Sequence, residues 1–283
     1  TTRLVNKVLR AYLAITVLAV SWGTIPLIIK TSEISSISLV GIRTFIGSIF
    51  LSFFVIRKGI NIKVLIKPGL ILGPLLAIHW VTMFESIELN SVTVGIGSVF
   101  SYPIFVLIIE RIKGKTLSIK QVLIIIFGFL GLMILLDVKY IDSLTGIFYG
   151  ILSAISLALI ITIGEKYSTE LGGLRVAFIQ LLVAGVCLIY FTIEGYQWMI
   201  SNIFVSIFLG VFLTAIGLST YWYVVKIIKP LSVSTITYLE PTTGVILGVL
   251  ILNENIRLNQ FAGFLIILFV GVLQVITDSK SKN

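Results

Sequence analysis

Ten stretches of about twenty mostly apolar residues, separated by short connections, run from Ala11 to Thr277. About twenty such residues are what a helix needs to cross roughly 30 Å of hydrocarbon. The stretches read as 11–30, 36–56, 69–88, 91–109, 119–137, 145–164, 173–193, 202–226, 231–252 and 258–277. Barrel strands would alternate in polarity over about ten residues, and runs such as Val122-Leu-Ile-Ile-Ile-Phe127 do not. Every backbone amide in lipid needs an internal partner, so the expected fold is all-α: a polytopic membrane protein with ten transmembrane helices. The connections are too short to hold a soluble domain, which places function within the bilayer.

Composition agrees, with 58% hydrophobic and 12% charged residues where a soluble domain carries roughly 25% charged. The net charge of +9 is decided by its distribution. Seventeen of the 21 Lys and Arg flank the spans on the side of the amino terminus, three (Lys30, Lys139, Arg257) lie on the other, and Arg43 sits inside a span. The positive-inside rule then predicts a multi-pass protein of the cell membrane with both termini in the cytoplasm. The excess charge is an orientation signal, and no basic surface is left for nucleic acid. One cysteine, Cys187, allows neither an internal disulfide nor a metal cluster, and reads as a core residue. The first stretch follows basic residues but is as long as the others and lacks a small-residue cleavage site, so it reads as a helix and not as a leader.

The second five stretches resemble a degraded copy of the first five. Pro103 pairs with Pro241, Gln121 with Gln260 and Gly131 with Gly271, at offsets of 138, 139 and 140. Five is odd, so the copies enter the membrane in opposite senses: residues 1–139 and 140–283 are expected to form two inverted five-helix repeats. Such repeats hold a solute site between them near the midplane and expose it alternately to each side.

Several motifs carry a family resemblance across the whole chain. Ser21-Trp22-Gly23-Thr24, the segment from Tyr223 to Ser232, Tyr238-Leu-Glu-Pro241 and Gly248-Val-Leu-Ile-Leu-Asn-Glu254 resemble the EamA repeats of the drug/metabolite transporter superfamily. In the first repeat Lys113-Gly-Lys115 stands where that family often has Gly-Glu. The resemblance implies ten helices, cytoplasmic ends and transport, often export, of amino acids or small metabolites.

Glu240 is the most costly residue to place, since a charge at mid-helix is unfavourable by roughly 2.5–3.5 kcal/mol. Helical spacing sets Gly244 and Gly248 on its stripe, which turns the carboxylate toward packed helices or a cavity. It reads either as a group that titrates or binds a cation, or as a structural acceptor. His79, the only histidine, and Trp80 fall at midplane depth; an imidazole there suits a proton-coupled step, a hydrogen bond to solute, or a satisfied core role. Without a second ligand at a useful spacing, His79 holds no metal. Arg43 reads as a snorkelling or paired side chain or as a partner for a solute carboxylate. Trp22, Trp80, Tyr102, Tyr221, Trp222 and Tyr238 lie at cavity depth, where a wall of rings with polar tips favours amphipathic organic solutes. Pro26, Pro103 and Pro241 are candidate hinges, and Gly244 and Gly248 candidate packing positions.

No nucleophile and base pair, phosphate-binding loop or paired carboxylate appears, so the chain is not expected to be an enzyme or to need a cofactor. The expectation is a secondary-active exporter of amino acids or related metabolites working by alternating access, with Glu240 and His79 as the proton-coupling groups. A proton-coupled importer of a small cation such as choline, and a solute channel, are the alternatives. The expected partners are the bilayer, a small solute and protons, with monomer and homodimer both open.

Overall fold

The computed structural model of the chain describes residues 2–25, 28, 32–57, 59, 61–90, 92–137, 143–252 and 257–280. Pro26, one of the expected hinges, lies outside them, as do Lys139, Asn253 and Glu254. Among the described residues the regular structure is helical throughout. In chain order the helices are α1 (Thr2–Trp22), α2 (Ser36–Arg57), α3 (Lys63–Leu89), α4 (Val92–Val99), α5 (Tyr102–Ile112), α6 (Ile119–Leu136), α7 (Leu144–Leu171) and α8 (Gly173–Cys187). There follow short α9 (Ile189–Glu194), α10 (Tyr196–Ser201) and α11 (Ile203–Ile207), a π-helical segment (Phe208–Ile216), α12 (Gly217–Val225), α13 (Pro230–Ile236), α14 (Leu239–Leu252) and α15 (Leu258–Lys280).

Seven described stretches are long and apolar enough to cross a membrane: α2, α3, Val94–Ile112, α6, α7, Ile203–Val225 and Leu258–Thr277. The other three of the ten expected stretches depart for visible reasons. In the first, 11–30, α1 ends at Trp22, and residues 26–27 and 29–30 lie outside the described ones. The helix in 173–193 stops at Cys187, 15 residues long, and resumes as α9. The stretch 231–252 is divided between α13 and α14.

Two breaks share one cause. A proline inside a helix clashes with the carbonyl four residues earlier and costs ~3 kcal/mol or more. At Pro103 that carbonyl belongs to Val99, and at Pro241 to Thr237. In both places the chain turns there and restarts, so that Pro103 lies in the first turn of α5 and Pro241 in that of α14. The tight turns match: Ser101 N donates to Ser98 O at 3.3 Å, and Tyr238 N to Thr235 O at 3.3 Å. Interrupted backbone in lipid needs new partners, and hydroxyls supply them. Ser101 Oγ donates to Ser98 O at 2.6 Å, and Thr237 Oγ1 to Ser234 O at 3.0 Å.

The glutamines of the expected repeat also match. Gln121 Oε1 accepts from Ser118 N at 3.0 Å, closing a capping box at the start of α6. Gln260 Oε1 accepts from Arg257 N at 3.0 Å at the start of α15. The pair Gly131 and Gly271 does not match in environment. A Cβ on Gly131 would meet Ile266 at 2.6 Å, whereas one on Gly271 would find its nearest neighbour, Ile236, at 3.8 Å. It is Gly263 that faces Gly131, where α6 and α15 pack backbone to backbone.

Small residues let the other helices close in the same way. Gly69 and Gly73 of α3 lie against Ile179 and Val183 of α8, and Gly23 lies against Glu240 O and Thr243 of α14. Cys187 is exposed, contrary to the core role expected of it. It is the last residue of α8.

Candidate functional site

A cavity with about 790 Å³ of atom-free space, its open mouth included, lies beside the two helix breaks. Its walls come from α1, α2, α3, α7 and α12 together with Val99, Phe100 and Tyr102 at the first break and Thr237 and Glu240 at the second. Tyr102 joins the breaks, because its hydroxyl is hydrogen-bonded to Thr237 Oγ1. Most of the lining is apolar, with a few polar groups that converge, as in sites for small organic ligands.

Arg43 is 4% exposed and enters the cavity wall from α2. Its Nε donates to Thr214 Oγ1 at 2.8 Å, and Cζ stands 4.2 Å from the ring centroid of Trp80. A guanidinium on an indole face gains about 0.5–2 kcal/mol, more as water is excluded. Both contacts fix the plane of the group and leave the terminal nitrogens for another acceptor. Thr214 belongs to the π-helical segment, and one residue earlier Leu213 O accepts from Trp22 Nε1 at 2.7 Å. The widened turns of a π-helix are often found at functional sites; here they present a carbonyl and a hydroxyl to two cavity residues.

Glu240 reaches the same cavity from the first turn of α14. A helix amino terminus favours negative charge, which offsets part of the cost of a carboxylate at this depth. No ion pair joins Glu240 to Arg43. The two opposite charges face one space from separate helices without touching. A Cβ on Gly244, one turn along, would lie 3.6 Å from Gly23 O, where α14 meets the end of α1. Gly248 lies further along the same helix.

His79 is 5% exposed and lines the cavity from α3, its Nδ1 held 2.8 Å from Ser153 Oγ on α7. Tyr221 of α12 also lines it, its ring 5.8 Å from that of Trp22. The hydroxyl of Tyr221 is buried without a hydrogen-bond partner.

Seven of the nine expected cavity residues therefore border one space: Trp22, Arg43, His79, Trp80, Tyr102, Tyr221 and Glu240. Trp222 and Tyr238 do not. Trp222 points away, into the junction of α7 and α8, where Nε1 donates to Gln180 Oε1 at 2.8 Å. Tyr238 lies against Gly128 of α6, also fully buried. Each neighbours a residue that does line the cavity, and adjacent helical positions point about 100° apart. Thr214, Ser153 and Thr237, which hold the functional side chains in place, are not apparent in the sequence. Hydroxyl residues are common in these spans, and only the fold selects the three that matter.

Apolar helices long enough to cross a membrane, gathered around a cavity with a few converging polar groups, fit a membrane transporter. The chain belongs to the EamA-like transporter family, whose model matches residues 9–137 and again 144–277. It is 25% identical over 264 residues to an Archaeoglobus fulgidus protein named an uncharacterized transporter, covering 92% of this chain and 94% of that one. It is 23% identical over 258 residues to the S-adenosylmethionine uptake transporter of Rickettsia conorii, covering 89% and 87%. A solved crystal structure at 16% identity superposes with a TM-score of 0.76 over 95% of this chain and 98% of that one, a likeness of fold. The protein is thus a multi-pass membrane protein whose surroundings are lipid and whose cargo is a small molecule.

Proposed function

We propose that the protein is a secondary-active exporter of zwitterionic solutes, amino acids or close relatives, working by alternating access. One observation carries this reading: Arg43 and Glu240 border the same cavity and do not pair. Two separated opposite charges fit a solute that brings its own carboxylate and ammonium, and each would gain a charge-assisted hydrogen bond of about 1.5–3 kcal/mol. The aromatic walls suit an organic body between the charged ends. S-adenosylmethionine carries an α-amino acid end of the same kind, so the Rickettsia relative's name is compatible with this site.

The chain would form ten spans as two inverted repeats, residues 1–139 and 140–283, with both termini in the cytoplasm. The paired breaks at Pro103 and Pro241, the paired caps at Gln121 and Gln260, and the double match of the family model support the repeats. The breaks serve as hinges, and Glu240 and His79 exchange the coupling proton.

Purified protein in liposomes, with a labelled amino acid pool and an imposed pH gradient, tests the reading. Counterflow that is driven by zwitterions and lost in Glu240→Gln supports it; counterflow by choline alone replaces it with the cation importer. Steady conductance in a planar bilayer replaces it with the channel, and labelling that finds the termini on opposite faces removes the inverted repeat.

A further inference from the structure

His79 and Ser153 make three polar contacts with one another. Nδ1 lies 2.8 Å from Ser153 Oγ and 3.2 Å from Ser153 O, and Ser153 Oγ lies 2.9 Å from His79 O. Four polar atoms meet here, and two hydrogens can lie within the three contacts, the hydroxyl hydrogen of Ser153 and one on Nδ1; His79 O also accepts from Thr82 Oγ1 at 3.4 Å.

Suppose that Nδ1 carries no hydrogen. The hydroxyl must then turn to Nδ1, and two contacts are left with lone pair facing lone pair: Nδ1 with Ser153 O, and Ser153 Oγ with His79 O. Both carbonyls lie inside helices, so the cost is the repulsion of lone pairs that face each other at 3.2 and 2.9 Å in a buried place. Suppose instead that Nδ1 carries the hydrogen. It is then shared between Ser153 Oγ and Ser153 O, the hydroxyl donates to His79 O, and every contact is favourable. A neutral imidazole with hydrogen on Nδ1 has a bare lone pair on Nε2. Ser153 is fully buried, so no water competes for these hydrogens. Among the described residues Nε2 has no hydrogen-bond partner, and it is not among the buried unsatisfied atoms, so it keeps some exposure, which we assign to the cavity that His79 lines.

We propose that Ser153 is a positioning residue that fixes His79 as its Nδ1–H tautomer and so presents Nε2 to the cavity as a hydrogen-bond acceptor for a donor hydrogen of the transported solute. The part that concerns solute rests on the zwitterion reading above. With Nε2 as acceptor in the cavity that Glu240 also lines, the cavity has acceptors for an ammonium or hydroxyl group, while Arg43 and the Tyr221 hydroxyl offer donors. A solute whose ammonium hydrogens are all replaced by methyl groups has nothing to give Nε2.

The single histidine makes the test direct, because protein labelled with nitrogen-15 in histidine has one pair of ring nitrogens to observe. In solute-free protein in lipid nanodiscs the wild type is expected to show hydrogen on Nδ1 and none on Nε2. Ser153→Ala is expected to lose that bias, and Ser153→Thr, which keeps the hydroxyl, to retain it. In liposomes Ser153→Ala should raise the half-saturating concentration of a transported amino acid about 2- to 10-fold, the worth of one neutral hydrogen bond. Ser153→Thr should restore affinity. Addition of that amino acid to labelled wild type should shift Nε2 more than Nδ1.

Hydrogen on Nε2 in the wild type, a ring protonated on both nitrogens, or an unchanged tautomer in Ser153→Ala would overturn the assignment. A transported solute that leaves Nε2 unmoved would overturn its role toward solute. The tautomer is read without solute, so its failure is separate from that of the zwitterion reading. Absence of zwitterion transport would sink that reading and the solute role together, with the Nδ1–H assignment still decided by the resonances.

Discussion

Gly164 on α7 and Trp222 on α12 occupy one shared volume: a Cβ at 164 would stand 2.0 Å from Cη2 of the indole. Trp222 cannot retreat, because its Nε1 is bonded to Gln180, whose own Nε2 donates to Leu72 O at 3.4 Å. The arrangement ties α3, α7, α8 and α12 together directly behind the cavity wall. Gly164→Ala is expected to destabilise the protein by about 1–3 kcal/mol through overpacking. Thermal unfolding in detergent measures this, and pairing the change with Trp222→Phe should recover part of the loss. An unchanged melting temperature in the single variant would show that the ring has room to move.

Tyr221 differs from the other cavity tyrosine in having no hydrogen-bond partner for a buried hydroxyl. An unsatisfied buried polar group costs about 1–3 kcal/mol. Tyr221→Phe is therefore expected to leave the empty protein as stable as the wild type or more so. If the hydroxyl serves solute, the same change lowers affinity by about 2- to 10-fold, one neutral hydrogen bond's worth. Melting curves with and without amino acid separate the two effects, since a ligand that binds only the folded state raises stability by mass action. Equal ligand-induced shifts in both proteins would remove Tyr221 from recognition.

The sequence made the helical class legible because hydropathy and length suffice for it, and it made the helix breaks visible as two prolines at equivalent places. It also brought most of the cavity into view, since Glu240, His79 and Arg43 are costly in lipid and needed a reason to be there. Direction was harder to read. Trp222 and Tyr238 have the same residue types and depth as Trp22 and Tyr102, and only the rotation of each helix decides which ring meets the cavity. The π-helical segment was not legible at all: Phe-Leu-Gly-Val-Phe-Leu-Thr-Ala-Ile would serve equally well in an α-helix. Its hydrogen-bond partners, Arg43 and Trp22, lie far away in the chain.

Arg43→Lys tests whether geometry or charge matters in the cavity wall. Lysine keeps the positive charge, but it has no Nε to give Thr214 and no planar face to lie on Trp80. The expected outcome is a rise of about 10-fold or more in half-saturating solute concentration, from losing a charge-assisted hydrogen bond of about 1.5–3 kcal/mol. Thr214→Val keeps the size of the residue that holds Arg43 and should produce a smaller change in the same direction. Transport by Arg43→Lys at wild-type affinity would mean that the guanidinium serves packing alone.

Glu110, with its side chain 2% exposed at the end of α5, takes Lys115 at 2.5 Å, and Lys115 also reaches Glu165 of α7 at 3.2 Å. Lys113 Nζ donates to Thr162 O on α7 at 2.5 Å. These contacts join the first half of the chain to the second on its basic side, through the Lys-Gly-Lys segment. Partial burial works against the charge of Lys115, but the hydrogen bonds and charges of Glu110 and Glu165 outweigh it and hold the ammonium above the ordinary lysine value of 10.5. A base whose pKa is raised on folding contributes stability that is fully present below its unfolded value and is lost as pH climbs through the folded one. The contribution should therefore be intact at neutral pH and disappear in the alkaline range above 10.5. Lys115→Met should melt below the wild type at neutral pH, with the gap narrowing as pH rises past that point. Salt should weaken the effect only in part, because Glu110 is shielded from water while Lys115 is not. Melting curves of the two proteins that stay parallel across the alkaline range would show that this contact does not hold the halves together.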